Sequence, residues 1–75
     1  MATPIVMPRL GDFMTEGVVG SWNKQSGDQV SQGESLTEIE SEKLNYDLEA
    51  PSSGILHIVA NSGETIAVDS VIAYL

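Results

Sequence analysis

The sequence predicts an all-β fold, a flattened eight-stranded β-barrel or sandwich with an internal pseudo-twofold repeat. Three observations lead there. Glycine and proline punctuate the chain every several residues, from Pro4 and Pro8 through to Gly54 and Gly63. The runs between them are short and rich in Val, Ile, Leu, Tyr and Trp. They carry no long 3.6-residue period, and many short strands between turn signals mark a sandwich or barrel. Finally, "GVVGSWNKQSGDQVSQGESLTEI" (17–39) matches "GILHIVANSGETIAVDSVIAYL" (54–75) once one residue is deleted in the second copy.

In that alignment Gly17 meets Gly54, Gly27 meets Gly63 and Asp28 meets Glu64. Val30 meets Ile66, Leu36 meets Ile72 and Ile39 meets Leu75. Leu36 and Ile39 are three residues apart, as are Ile72 and Leu75, so both copies break two-residue alternation at one place. The same bend or bulge is expected in each. Two similar halves that bury their apolar faces against each other make a pseudo-twofold sandwich. The corner after Ile39 then corresponds to the terminus after Leu75, at the opposite side of the domain.

The expected strands are 4–7, 17–23, 29–31, 36–41, 44–50, 54–60, 65–67 and 71–75. The first ends at Pro8, which opens a surface loop, "PRLGDFMTEG" (8–17), displaying Phe13 and Met14. Leu10 and Met14 are expected to cap the barrel end as well. Turns at Gly27 and Gly63, at matching places in the two copies, are expected to have positive φ. Segment 44–50 alternates cleanly, with Leu44, Tyr46, Leu48 and Ala50 on one face and Asn45, Asp47 and Glu49 on the other. The link before it, "SEKL", reads as a tight hairpin with Lys43 at or beside its tip. No Asn-Gly or Gly-Gly occurs there, so a type I turn fits better than the primed types. Trp22 and Tyr46 are expected in the core, and His57 as an ordinary strand residue.

Composition bounds the function. Seventy-five residues make one domain, 1–75, with a modest core. There is no cysteine and one histidine, which excludes a disulfide-built module and a Cys/His zinc site. A formal net charge of −8 repels nucleic-acid phosphates and anionic membranes and favours partners with basic patches. The apolar runs are too short to span a bilayer, and "MATPIVMPRL" lacks the basic start of a signal peptide; a cytoplasmic setting is expected. No calcium-loop pattern appears, and no metal site is expected.

Only three cationic residues exist: Arg9, Lys24 and Lys43. Lys43 stands among carboxylates, with Glu38, Glu40 and Glu42 before it and Asp47 and Glu49 after it. Such a lysine either balances charge or serves as a chemical handle. An exposed lysine titrates at about 10.4 and nearby carboxylates favour its charged form, so it is not a nucleophile unaided. A glycosidase-like pair among Glu40, Glu42 and Glu49 has only residue type in its favour. Ser52 or Ser53 near His57 likewise makes no catalytic set, so no catalytic residue is assigned.

The residues around Lys43 carry a family resemblance. The chain resembles the lipoyl domain of the acyltransferase (E2) component of 2-oxo acid dehydrogenase complexes. The family's lysine motif stands here as Glu40-Ser41-Glu42-Lys43. Its glycine eleven residues after the lysine is Gly54, and its glycine sixteen before is Gly27, in "SGDQVSQGE". "VMPRLGDFMTEGVVGSW" resembles the family's first strand, surface loop and second strand. Glu42 replaces the common Asp, and Leu44 the common Ala or Val, a context similar to acetoin-cleaving complexes. The resemblance implies the biotinyl/lipoyl-carrier fold, and lipoic acid in amide linkage to Lys43. It implies recognition residues at Glu40, Glu42, Leu44 and Gly54, with the 8–17 loop helping the decarboxylase know its carrier. Its implied partners are a lipoate ligase or lipoyl transferase, the decarboxylase (E1), the E2 catalytic core and dihydrolipoamide dehydrogenase (E3). The isolated domain is expected to be a monomeric carrier and not an enzyme. Biotin carriers share the fold but place Met on both sides of the lysine. A biotin carrier and an unmodified interaction module stay open as alternatives.

Overall fold

The computed structural model describes residues 2–42 and 44–75. Every regular element among them is a strand, and the elements fall into two layers related by the repeat. The first layer has the order β5-β4-β2-β8, made of Asn45–Glu49, Ser35–Glu40, Glu16–Trp22 and Thr65–Ala67. The second contains β1 (Pro4–Val6), β9 (Val71–Tyr74) and β7 (His57–Ile58), in that order, and the pair β3 (Gln29–Val30) and β6 (Gly54–Ile55). All pairings are antiparallel.

The expected strand 54–60 is two strands. β6 pairs with β3, and β7 with β9. Between them Leu56 is buried, and its N–H and C=O bond Asp28 O and Gly27 N at 2.9 and 2.8 Å. The chain changes partners at this residue, a choice local pattern does not encode. Counted as one interrupted strand, β6 and β7 complete a second four-stranded layer, β1-β9-β7/β6-β3, matching the first.

Hydrogen bonds exhibit the twofold residue by residue. Gly27 N donates to Leu56 O at 2.8 Å, and Gly63 N to Val19 O at 2.7 Å. Leu56 N donates to Asp28 O and Val19 N to Glu64 O, both at 2.9 Å. Gly27 and Gly63 have φ of 96° and 89°, the expected left-handed turns. The relation extends further than the alignment did. Gly33 N donates to Ala50 O and Asp69 N to Met7 O, with φ of 90° and 73°. Asp69 thus takes a glycine-like conformation that its residue type did not announce.

The expected bulge is present in both copies. In the β4–β5 ladder Ser35 faces Glu49 and Thr37 faces Leu48, leaving Leu36 as the extra residue. In the β9–β1 ladder Val71 faces Val6 and Ala73 faces Ile5, leaving Ile72 as the extra residue. Each bulge turns two consecutive side chains inward: Leu36 with Thr37, and Ile72 with Ala73, all fully buried. Thr37 is the one buried polar residue among those described, and its Oγ1 donates to Ser21 O at 2.9 Å. That bond satisfies a hydroxyl that would otherwise be costly to bury.

The core lies between the layers and is formed by Ile5, Met7, Val19, Val30, Leu36, Ile39, Leu48, Leu56 and Ile72, with three alanines. Each larger aliphatic side chain withdrawn from water contributes about 1.5–3 kcal/mol. Trp22 packs against this core and donates Nε1–H to Ala60 O at 2.9 Å. Tyr46 corrects the expectation of a core residue, being 43% exposed. It points to the apolar side of β5, opposite the buried Ile39, but β5 is an edge strand on which only Leu48 and the following Ala50 are covered. His57 is an exposed strand residue.

Candidate functional site: the β4–β5 hairpin and its groove

β4 and β5 form the longest ladder, from Ser35–Glu49 to Glu40–Asn45. Beyond the last pair, residues 41–44 turn the chain. Ser41 N donates to Leu44 O at 2.9 Å, which closes a tight hairpin with two residues, 42 and 43, between them. The Ser41 side chain adds two bonds: its Oγ–H donates to Leu44 O at 2.6 Å and its Oγ accepts from Leu44 N at 3.3 Å. Asp69 is the only non-glycine with positive φ among the described residues. Glu42 is therefore outside the left-handed region that both primed turn types need at the first central position, in agreement with the expected type I family. Lys43 lies outside the described residues.

The described tip is open to solvent. Glu40 and Glu42 are exposed, and Leu44 is 50% exposed. Glu38 is exposed too and stands directly opposite Asp47 on the outer face. These carboxylates form no group of metal-holding geometry among the described residues. Their arrangement is an acidic rim around the hairpin.

A groove runs beside the tip. One wall is the hairpin, through Glu40, Ser41, Glu42 and Leu44; the other is the loop from Leu10 to Thr15. The loop caps the barrel end and displays one of the two side chains expected on its surface. Leu10 and Met14 are partly buried against the core, while Phe13 is 96% exposed at the rim. Arg9 holds the loop in shape, its Nη1–H donating to Met14 O at 3.1 Å and to Asp12 O at 3.4 Å. Leu10 N also donates to the Met14 thioether at 3.1 Å.

The structure brings Glu40, Glu42 and Leu44 together but not Gly54. A Cβ on Gly54 would lie 3.5 Å from Leu75 Cβ, in the corner that the twofold relates to the hairpin. Its mate Gly17 lines the hairpin groove instead. The sequence motif contains Ser41 without marking it as the residue that closes the turn. The available signal was a hydroxyl residue opening a turn that lacks glycine and asparagine. Lys24, the other lysine, is committed elsewhere: its Nζ lies 3.1 Å from Glu34 Oε2. Glu34 also accepts from Ser31 N at 2.7 Å. That bond first, and the Lys24 bond second, hold the Glu34 carboxyl below the usual carboxylate range.

A twofold all-β sandwich that closes one corner with an exposed acidic hairpin, Glu-Ser-Glu-Lys at its turn, defines a carrier domain of the lipoyl class. Such a domain holds lipoic acid in amide linkage on a lysine and is by itself no catalyst. The model of the "Biotin-requiring enzyme" family, which spans biotin and lipoyl attachment domains, matches residues 3–75, and the chain belongs to that family. It is 42% identical, over its whole length, to the dihydrolipoyllysine-residue acetyltransferase component of the acetoin cleaving system of Bacillus subtilis. It is also 42% identical over 69 residues, 91% of the chain, to the succinyltransferase component of the 2-oxoglutarate dehydrogenase complex of that organism. The chain spans 19% and 16% of the length of those two relatives. Among solved structures it resembles the lipoyl domain of the 2-oxoglutarate dehydrogenase complex of Azotobacter vinelandii. The TM-score is 0.76, with 27% identity, over 92% of this chain and 89% of that one.

Proposed function

We propose that Lys43 is the residue that accepts lipoic acid, and that the domain carries acyl groups and reducing equivalents between the active sites of a 2-oxo acid or acetoin dehydrogenase complex. The observation that carries this reading is the hairpin itself. Its turn is closed by Ser41 and Leu44, Glu42 and Leu44 are exposed, and Lys43 falls between them in the sequence. Of the remaining cations, Lys24 pairs with Glu34 of the next turn and Arg9 bonds within its own loop. Both relatives named above are dihydrolipoyllysine-bearing acyltransferase components, which supports lipoate over biotin.

This chain's residues present the amine and steer partners; a ligase supplies the activation. Lysine is protonated at neutral pH, so the ligase must remove a proton before the nitrogen can form an amide. Amide formation abolishes the cation, taking the formal net charge from −8 to −9. The lipoyl group, when bound, would supply a disulfide whose S–S bond breaks as one sulfur takes an acyl group together with the electron pair of the acyl donor and the other becomes a thiol. The acidic rim of Glu38, Glu40 and Glu42 favours partners whose entrances are basic. Phe13 at the groove rim offers an apolar contact by which the decarboxylase distinguishes its own carrier. Partners in this reading are a lipoate ligase or lipoyl transferase, the decarboxylase, the acyltransferase core and dihydrolipoamide dehydrogenase.

The test uses wild type, Lys43→Arg, Lys24→Arg and the swap Glu42→Lys with Lys43→Glu. Each is incubated with lipoate ligase, ATP and lipoate, and in parallel with biotin ligase and biotin. Intact mass and peptide mapping should show lipoylation of wild type and Lys24→Arg, and none of the other two. Biotinylation of wild type without lipoylation, or modification at Lys24, would overturn the assignment.

A further inference from the structure

We propose that Ser41 is a positioning residue for modification of the hairpin: its hydroxyl sets the shape of the two-residue tip that the modifying enzyme must receive. The inference rests on Lys43 being the acceptor, but it concerns a different residue and a different bond.

The argument begins with turn chemistry. Two-residue hairpins favour primed turns because their twist matches that of the strands, whereas type I turns splay the strands apart. This tip lacks the glycine or asparagine that primed turns use, and Glu42 is outside the left-handed region. A splayed tip would have variable shape. The Ser41 hydroxyl opposes the splay by holding both polar groups of Leu44, donating to its carbonyl at 2.6 Å and accepting from its amide at 3.3 Å. With the backbone bond from Ser41 N, also to Leu44 O, three hydrogen bonds fix the separation of positions 41 and 44. The span that residues 42 and 43 must bridge is thereby set. Alanine at 41 would leave one of the three.

The bond is local and the turn is solvent-exposed. Its loss should therefore alter the tip without unfolding the sandwich, whose core lies between the layers. Reaction of an amine within a bound complex depends steeply on placement. The effect should fall on turnover more than on encounter, because the charges that guide encounter are unchanged.

Ser41→Ala and Ser41→Thr separate this from a structural role. With lipoate ligase, ATP and lipoate, Ser41→Ala should lose about ten-fold in kcat/KM, mainly in kcat. Ser41→Thr, which keeps the hydroxyl, should stay within about two-fold of wild type by the same reasoning. Amide exchange at Leu44 should quicken in Ser41→Ala and not in Ser41→Thr, with Tm unchanged in both. Wild-type rates in Ser41→Ala would overturn the proposal. So would a loss that threonine does not restore, unchanged Leu44 exchange, or a loss that simply tracks a lowered Tm. Peptide mapping of wild type decides the underlying reading separately: absence of lipoate at Lys43 removes the acceptor assignment and this proposal with it, whereas lipoate there with an indifferent Ser41→Ala removes this proposal alone.

Discussion

The β4–β5 ribbon and the β9–β1 ribbon are equivalent under the pseudo-twofold, share a bulge, and show opposite outer surfaces. On β4–β5 the outward pair is Glu38 and Asp47. At the matching place on β9–β1 stand Tyr74 and Pro4, with His57 beyond on β7. Past the bulge the contrast repeats. Ser35 pairs with Glu49 on one ribbon, and Val71 pairs with Val6 on the other. Ser35 is further tied to polar neighbours, its Oγ donating to Asp47 and accepting from Asn23 Nδ2 at 3.0 Å. The second layer's outer surface also exposes Ile55 and Val59.

Backbone symmetry and surface chemistry therefore answer to different demands. The inward residues are apolar in both copies because one core contains both, and the bulge recurs because both ribbons must bend around that core. Nothing in the packing couples the outward residues. One ribbon has become acidic and continues into the hairpin turn. Its mate ends at the mutual bonds of Thr3 and Leu75, 2.6 and 2.9 Å long.

The strongest test of this equivalence is to remove the bulge side chains. Leu36 and Ile72 are both fully buried extra residues. Leu36→Ala and Ile72→Ala should each cost about 2–5 kcal/mol in urea unfolding. Similar losses would support energetic equivalence of the halves. A difference exceeding the spread expected for such cavities would show that one half dominates the core.

Turn conformation gives a smaller and sharper comparison. Gly27→Val should cost about 1–3 kcal/mol, since a β-branched residue is forced to positive φ. Gly33→Asp should cost less, about 1 kcal/mol, because Asp tolerates the left-handed region better and Asp69 already holds it at the equivalent place. Equal melting temperatures for wild type and Gly27→Val would show that φ of 96° imposes no constraint there.

The smallest expected effect concerns charge. Glu34 caps its turn through Ser31 N and pairs with Lys24, whereas its twofold mate is the uncharged Ser70. The folded-state pKa of Glu34 is lowered, so its contribution is present above the unfolded pKa and is lost as pH falls through the folded one. Wild type should thus be slightly more stable than Glu34→Gln at pH 7, and the gap should close on acidification through the carboxylate range. Melting curves from pH 7 to about pH 3 check this. A gap that persists at the acid end would assign the effect to shape and not to charge.

The sequence by itself determined what depends on pattern and local conformation. Short strands between turn signals, the repeat with its two bulges, the left-handed glycines at 27 and 63, and the tight link from Ser41 to Leu44 were all legible. Each is a property of a few neighbouring residues or of a period along the chain. The motif around Lys43 was legible for the same reason. Only the tertiary structure decided which elements became neighbours. It set the partner change at Leu56, because β6 and β7 belong to different ladders although they adjoin in sequence. It exposed Tyr46, because alternation shows a side chain's face but not whether a neighbouring layer reaches that far. It placed Gly54 beside Leu75 and Gly17 beside the hairpin, a distinction that a symmetric repeat hides. It held Asp69 at positive φ, at the place where the first half has Gly33. The groove is the fullest case: its walls are separated by more than twenty residues of chain, and only the packing of β2 against β4 brings them together.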